Sequence, residues 1–183
     1  MRQTLRLHPD SSCVAVTHID VEVLRLQAHN LTFAYVVTGT IRDLAVPSMA
    51  DATRTDELWR HTCFEAFVGN SQSVAYYEFN FAPSTQWAAY RFSDYRTDMR
   101  VATEVDTPRI TVQSNPERYL LRASLQLGQL SLSQGSPLRV GLSAVIEEIS
   151  GHRSYWALAH PTGKPDFHHF DCFTMKLSET YKP

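Results

Sequence analysis

Cysteine is scarce in this chain of 183 residues: there are three, Cys13, Cys63 and Cys172, an odd count with no C-x-x-C spacing. A disulfide scaffold is excluded on that count, and free thiols suit a reducing compartment, so a cytoplasmic protein is expected. Glycine is also sparse, at 7 residues, with no phosphate-cradling glycine loop and no G-x-S-x-G elbow to present a serine nucleophile. An excess of one charge is missing too. Lys and Arg number 17 against 19 Asp and Glu, a net charge of -2, so the basic surplus that releases phosphate counterions is absent and no nucleic-acid partner is expected. No apolar run approaches the roughly 18 residues of a membrane span, and Met1 to Asp10 alternates charge with apolar residues without a signal-like apolar core. The expectation is a soluble protein with no membrane partner.

What is present is a hydrophobic share of 43% spread over a length that suits one domain, 1–183, burying roughly 70% of its unfolded surface. Apolar residues recur with a period near two or in short runs, which is the signal of β-strands. Val14 to Leu26, Leu31 to Ile41, Cys63 to Val68, Ala75 to Phe81 and Trp87 to Phe92 read as strands, the last two joined through Ala82-Pro83-Ser84-Thr85. Arg109 to Gln113, Tyr119 to Leu127, Leu138 to Ile149, Ser154 to Ala159 and Thr174 to Leu177 continue the series. Turn signals at Gly69-Asn70-Ser71, Asn115-Pro116, Gly135-Ser136-Pro137 and Ser150-Gly151 punctuate it. Leu125 to Leu132 could hold a short helix, though Gly128 weighs against a long one. The fold expected is all-β, a sandwich or barrel of mainly antiparallel strands.

Polar residues set within apolar strands are the informative feature. Period two places Glu65 on the face of Cys63 and Phe67, and places Glu78 and Asn80 on the face of Tyr76, opposite Tyr77, Phe79 and Phe81. A carboxylate in such a strand must be paired or must open onto a lined cavity, because a lone buried charge is costly. If the next strand brings Trp87, Ala89 and Arg91 alongside, a ring and a guanidinium join two carboxylates and an amide. That set suits a sugar, whose hydroxyls take hydrogen bonds while its C–H face stacks on an aromatic ring. The competing reading makes Arg91 a structural ion-pair partner of Glu65 or Glu78. His160, Asp166, His168, His169, Asp171 and Cys172 are of metal-ligand type, but no H-x-x-x-H spacing occurs, and adjacent histidines on an extended chain point apart, so no metal is expected.

Leu58-Trp59-Arg60-His61-Thr62-Cys63-Phe64-Glu65-Ala66-Phe67, Tyr77-Glu78-Phe79-Asn80-Phe81-Ala82-Pro83-Ser84-Thr85-Gln86-Trp87, Tyr155-Trp156-Ala157-Leu158 and Pro165-Asp166-Phe167-His168 together resemble the bacterial DOMON-like proteins related to family 9 carbohydrate-binding modules. The resemblance spans about Leu31 to Leu177, and E-F-N-F-x-P-S-x-x-W is its most specific part. It implies an immunoglobulin-like or jelly-roll β-sandwich with a ligand site on one sheet or its rim. It also implies a sugar or sugar-containing metabolite as partner. The leading expectation is a non-enzymatic binding module without a cofactor, its site lined by Glu65, Glu78, Asn80, Trp87, Arg91 and Trp156. An alternative is a glycan-processing enzyme using Glu65 and Glu78 as acid and base. A third is a protein-interaction module or a haem binder, with Met49 or Met99 and His160 or His61 as axial ligands.

Overall fold

The computed structural model describes residues 1–26, 30–130, 132 and 137–178. β-Branched and aromatic residues alternating with polar ones fit a half-buried pleated surface, and they form most of its strands. These are β1 (Arg2–Leu7), β2 (Val16–Leu26), β3 (Asn30–Gly39), β4 (Cys63–Asn70), β5 (Tyr76–Phe81), β6 (Trp87–Phe92), β7 (Arg100–Val101), β8 (Arg109–Ser114), β9 (Arg118–Gln126), β10 (Leu138–Glu147), β11 (Arg153–Ala157) and β12 (Met175–Leu177). Among the described residues, helix is limited to single 3-10 turns at Ile41–Asp43, Leu58–Arg60 and Phe170–Cys172.

The strands pair antiparallel and run as one curled ribbon, β7-β6-β5-β4-β10-β11-β1-β2-β3-β9-β8, with β12 on the free edge at the start of β10. Strand β1 is the corner. Its residues Arg2 to Leu5 pair with β2, while Arg6 and Leu7 pair with Ala157 and Trp156 of β11. The two arms of the ribbon thereby face each other as a sandwich. Rings meet across the interior, Tyr35 against Phe64 at 5.1 Å and Phe33 against Phe81 at 6.2 Å between centroids. The Tyr35 hydroxyl donates to the Glu65 carbonyl at 2.6 Å, so even the polar atom of this buried ring has a partner.

The all-β expectation holds. Strands β1 and β7 were not anticipated, because β1 buries only Leu5 and β7 is two exposed residues long, too little for periodicity to register. No helix forms at Leu125 to Leu132 among the described residues: Leu125 and Gln126 end β9, and Leu127 to Leu130 make a turn closed by a Leu130 N–H to Leu127 C=O bond of 3.0 Å. The turn signal at Gly135-Ser136 lies outside the described residues.

Every residue of β4 and β5 is buried, a pattern that alternation with one wet face cannot produce. One face fills the sandwich. The other is covered by Leu58, Phe167, Cys172 and Phe173, from the segments before β4 and after β11, which close over Phe67, Tyr76, Tyr90 and Phe92. Gly39 fixes the far end of the first arm. It has φ +155°, and a Cβ there would lie 2.0 Å from the Ala15 carbonyl oxygen, which accepts the Thr40 N–H at 2.8 Å. Gly39→Ala must push that backbone aside, so a loss of about 3 kcal/mol is expected. That corresponds to a melting temperature lower by about 6 to 12 °C; an unchanged melt would contradict the geometry.

Candidate functional site

On the covered face of the second arm a cavity of about 510 Å³ is lined by strand residues Glu65, Glu78, Phe92, Val145 and Tyr155 and by loop residues that include Trp59, Arg96, Phe167 and His168. Its floor follows from register. Glu65 pairs with Asn80 of β5 and with Ser143 of β10, while Glu78 lies opposite Phe67, so the two carboxyls sit diagonally on adjacent strands. Both are nearly dry, at 3% and 5% exposure.

Their hydrogen bonds are few. Glu78 Oε1 accepts from Asn80 Nδ2 at 2.7 Å, and Glu65 Oε2 accepts from the Ser143 hydroxyl at 3.3 Å. Among the described residues no cation lies within ion-pairing distance of Glu65, and only the His168 ring, with Nε2 3.6 Å from Oε2, approaches Glu78. Burial pushes Glu78 up to about 7, and burial with the neighbouring Glu78 charge holds Glu65 well above the ordinary carboxylate range. His168 is held down at about 4, first by burial and then by the Arg96 guanidinium, so it is a neutral ring at pH 7. Its Nδ1 lies 2.8 Å from the Tyr76 hydroxyl, which already accepts the Arg96 N–H at 3.2 Å. The arrangement that satisfies all of these atoms has the Tyr76 O–H donating to Nδ1, leaving the His168 proton on Nε2 and directed at Glu78.

Asp166 ties the cover together. Its carboxylate accepts from the Arg96 guanidinium at 2.8 and 3.2 Å, from the Tyr95 hydroxyl and from the His168 N–H at 3.1 Å. Burial opposes its charge, yet these hydrogen bonds bring it below its ordinary value. Arg96 has a left-handed φ of 51°, a conformation that costs about 1 to 3 kcal/mol in a non-glycine residue. That backbone aims the side chain at Asp166.

Of the six residues expected to line the site, the structure brings Glu65, Glu78 and Asn80 to one face, with the Asn80 amide behind Glu78. Trp87, Arg91 and Trp156 go elsewhere. In β6 it is Ala88, Tyr90 and Phe92 that pair with Asn80, Glu78 and Tyr76, so Trp87 and Arg91 share the opposite face with Phe81 and Tyr77. Trp87 is a buried core ring. Trp156 belongs to the same interior, with its Nε1 donating to Ser154 Oγ at 3.0 Å. Arg91 pairs with Glu104 at 3.4 Å rather than with either carboxyl, which also removes the structural ion pair considered as the competing reading. The rings that do line the cavity are Trp59, Phe92, Tyr155 and Phe167. Trp59 arrives on a 3-10 turn and Phe167 on a loop, where strand periodicity carries no information; Phe92 follows from the register of β6 on β5, and Tyr155 from the registers of β10 and β11.

His168 and His169 point apart, His168 into the cavity and His169 capping Asp171 N–H at 3.2 Å. His61 Nδ1 lies 2.8 Å from Glu147, and His160 Nε2 lies 2.8 Å from the Arg6 carbonyl oxygen, while Met49 and Met99 are exposed. Among the described residues no three His, Cys, Asp or Glu side chains converge as a metal site.

No protein-family model matches the sequence, and no curated protein matches it significantly. Solved structures do. The crystal structure of a "putative carbohydrate-binding protein" from Bacteroides uniformis superposes over 97% of this chain and 85% of its own, with a TM-score of 0.72 at 15% identity. A family 9 carbohydrate-binding module from Caldicellulosiruptor kristjanssonii, solved with cellotriose, superposes over 89% of this chain and 74% of its own, with a TM-score of 0.52 at 13% identity. At such identities the likeness is one of fold, and function has to be argued from the cavity.

The titrations of Glu78 and His168 give opposite pH dependences. Glu78 binds its proton more tightly folded, at about 7, than at its ordinary 4.5. Its penalty is absent below pH 4.5 and grows to about 3 kcal/mol as the pH rises past 7. His168, at about 4 against an ordinary 6.5, imposes a comparable loss as the pH falls from 6.5 to 4. Glu78→Gln should therefore melt higher than the natural protein at pH 7.5 and converge with it near pH 4.5. His168→Gln should gain only below pH 6.5. Melting curves for the three proteins at pH 4.5, 6 and 7.5 check this, and parallel pH profiles would contradict it.

Proposed function

We propose that this protein is a carbohydrate-binding module whose ligand enters the cavity above Glu65 and Glu78. The observation that carries the reading is the cavity itself: a dry floor of hydrogen-bonding carboxyls beneath walls of Trp59, Tyr155 and Phe167. Hydroxyl protons are the natural donors to such a floor, and the apolar face of a pyranose is the natural surface to lie on such rings. A fold shared with carbohydrate-binding proteins supports the same reading. The volume of about 510 Å³ falls within the roughly 300 to 1,000 Å³ of small-ligand sites, so one or two sugar rings fit more readily than a long polymer. Binding without turnover is the simpler use of these groups, because both carboxyls have raised proton affinity for the same reason, burial, and neither environment sets one apart as the acid.

The test is titration calorimetry with glucose, cellobiose and cellotriose on the natural protein and on two tryptophan variants. Trp59 is half-buried at the cavity wall, edge-on to Tyr90 at 5.9 Å, so Trp59→Ala should weaken binding about tenfold while the melting temperature moves by only a few degrees. Trp87→Ala should instead cost about 3 to 5 kcal/mol of stability, as loss of a core ring does. Equal sugar affinity in the natural protein and in Trp59→Ala, or no binding of any sugar, would end the proposal.

A further inference from the structure

The floor of the cavity holds two buried carboxyls with acceptor positions left open. Glu65 Oε1 has no hydrogen-bond partner among the described residues, and Glu78 Oε2 faces only the His168 ring at 3.6 Å. Three guanidiniums, those of Arg60, Arg96 and Arg153, line the same cavity, but each is held by a partner other than the two carboxyls. Arg96 is committed to Asp166, Arg60 pairs with Glu57 at 2.8 Å, and Arg153 stands exposed at the mouth, donating to the Arg60 carbonyl at 3.1 Å. Water screens those rim charges, whereas the two floor carboxyls, almost wholly buried, are screened far less. Above the floor the walls include the rings of Trp59, Phe92, Tyr155 and Phe167, and the negative faces of rings attract a cation as well as a C–H surface.

We propose that the sugar bound by this cavity is an amino sugar, its protonated amine resting between Glu65 and Glu78 against the aromatic wall. This rests on the carbohydrate reading above and narrows its ligand class. An ammonium brings up to three N–H donors and no acceptor, which suits open acceptor positions on two carboxyls. A hydroxyl brings one donor and no charge, so it gives the pair no reason to ionise. Hydrogen bonds between ionised partners are roughly twice as strong as neutral ones.

The charge balance gives a signature that a merely polar site would lack. Without ligand at pH 7 the carboxyl pair retains protons, since burial opposes ionisation of both members. Of the other groups facing them, the Arg60, Arg96 and Arg153 guanidiniums are paired elsewhere, and the remainder are neutral or already partnered. On β4, the Cys63 thiol is pushed up by burial and stays neutral; on β5 and β6, so are the Tyr76 and Tyr90 hydroxyls. His168 is uncharged, and Asp166 is fully occupied by the Arg96 loop. An incoming ammonium therefore displaces a proton from the floor to solvent, whereas a neutral sugar does not.

The experiment is calorimetry at pH 7.0 in two buffers of different ionisation enthalpy, with glucose, glucosamine, N-acetylglucosamine and glucuronate as ligands. Cellotriose and its β-1,4-linked glucosamine counterpart serve as longer probes. Glucosamine is expected to bind at least about tenfold more tightly than glucose and to release protons on binding, while glucose and N-acetylglucosamine release none. Glu78→Gln should bring glucosamine and glucose within about threefold of each other, and a melting curve confirms that the variant is folded. Should Glu78→Gln not fold, Glu65→Gln takes its place with the same expectation. Glucose or cellotriose binding with no advantage for the amine, or with glucuronate preferred, overturns this inference and leaves the carbohydrate reading standing. Failure of every sugar overturns both.

Discussion

Glu65 and Glu78 lie on neighbouring strands, on the same face, and that face is covered. Two carboxylates so placed cannot both ionise cheaply, because each has lost its water and each feels the other. The rest of the covered face makes sense as a response to that constraint. Asn80 and Ser143, the register neighbours of Glu65, each turn a donor toward a carboxyl, and His168 offers its one ring proton from above. These are neutral groups. They ease desolvation without cancelling charge, so the pair keeps its protons and its avidity for a donor from outside.

Asp166 is the complement of that arrangement. Arg96 stands close enough for its charge to act on Glu65, Glu78 and His168, and a guanidinium turned a little further inward would neutralise the floor. Asp166 holds it away, with two hydrogen bonds from the same fork and a third from Tyr95. The left-handed backbone of Arg96 is the conformational cost of this placement, offset by two charge-assisted hydrogen bonds to one Asp166 oxygen. One acidic residue in a loop thus keeps a guanidinium from pairing with two others on strands, and it anchors the loop that supplies His168 and Phe167 to the walls.

How far this was legible in the sequence depends on which kind of order sets each residue. Alternation within a strand is local, so the shared face of Glu78 and Asn80 and the opposite face of Tyr77, Phe79 and Phe81 follow from period two alone. Register between strands is not local. The loop after Phe81 pairs Phe81 with Trp87, and that pairing sends the odd residues of β6 to the interior and the even ones to the cavity; counted one residue differently, Trp87 and Arg91 would line the site. Tryptophan itself misleads, since a large ring fills a sandwich core as readily as it stacks on a ligand. Trp87 and Trp156 do the former, and Trp59, which follows no strand pattern, is the ring at the cavity. The cover could not be anticipated either. His160 to Phe173 reads as an irregular tail rich in Pro and Gly, and only the tertiary fold lays it over β4 and β5.

The division between strands and loops also separates what is rigid in the site from what is adjustable. The carboxyls are fixed by ladder hydrogen bonds on both sides of β4, and the Glu65 carbonyl is further held by the Tyr35 hydroxyl from the opposite arm. A floor held that way keeps its geometry without a ligand, which reduces the ordering cost of binding. Beyond Phe92 and Tyr155 on strands, the walls come from three connecting segments joined chiefly through Asp166 and the aromatic cluster. Keeping Glu78 charged in this setting costs about 3 kcal/mol, for a proton affinity raised from 4.5 to about 7. A glutamine or a leucine at the same position would avoid that cost and leave the sandwich core on the other face untouched. A group that opposes folding in its charged form, held on a strand paired on both sides and directed into a cavity, adds nothing to stability there, which is what the proposed ligand role of Glu78 requires.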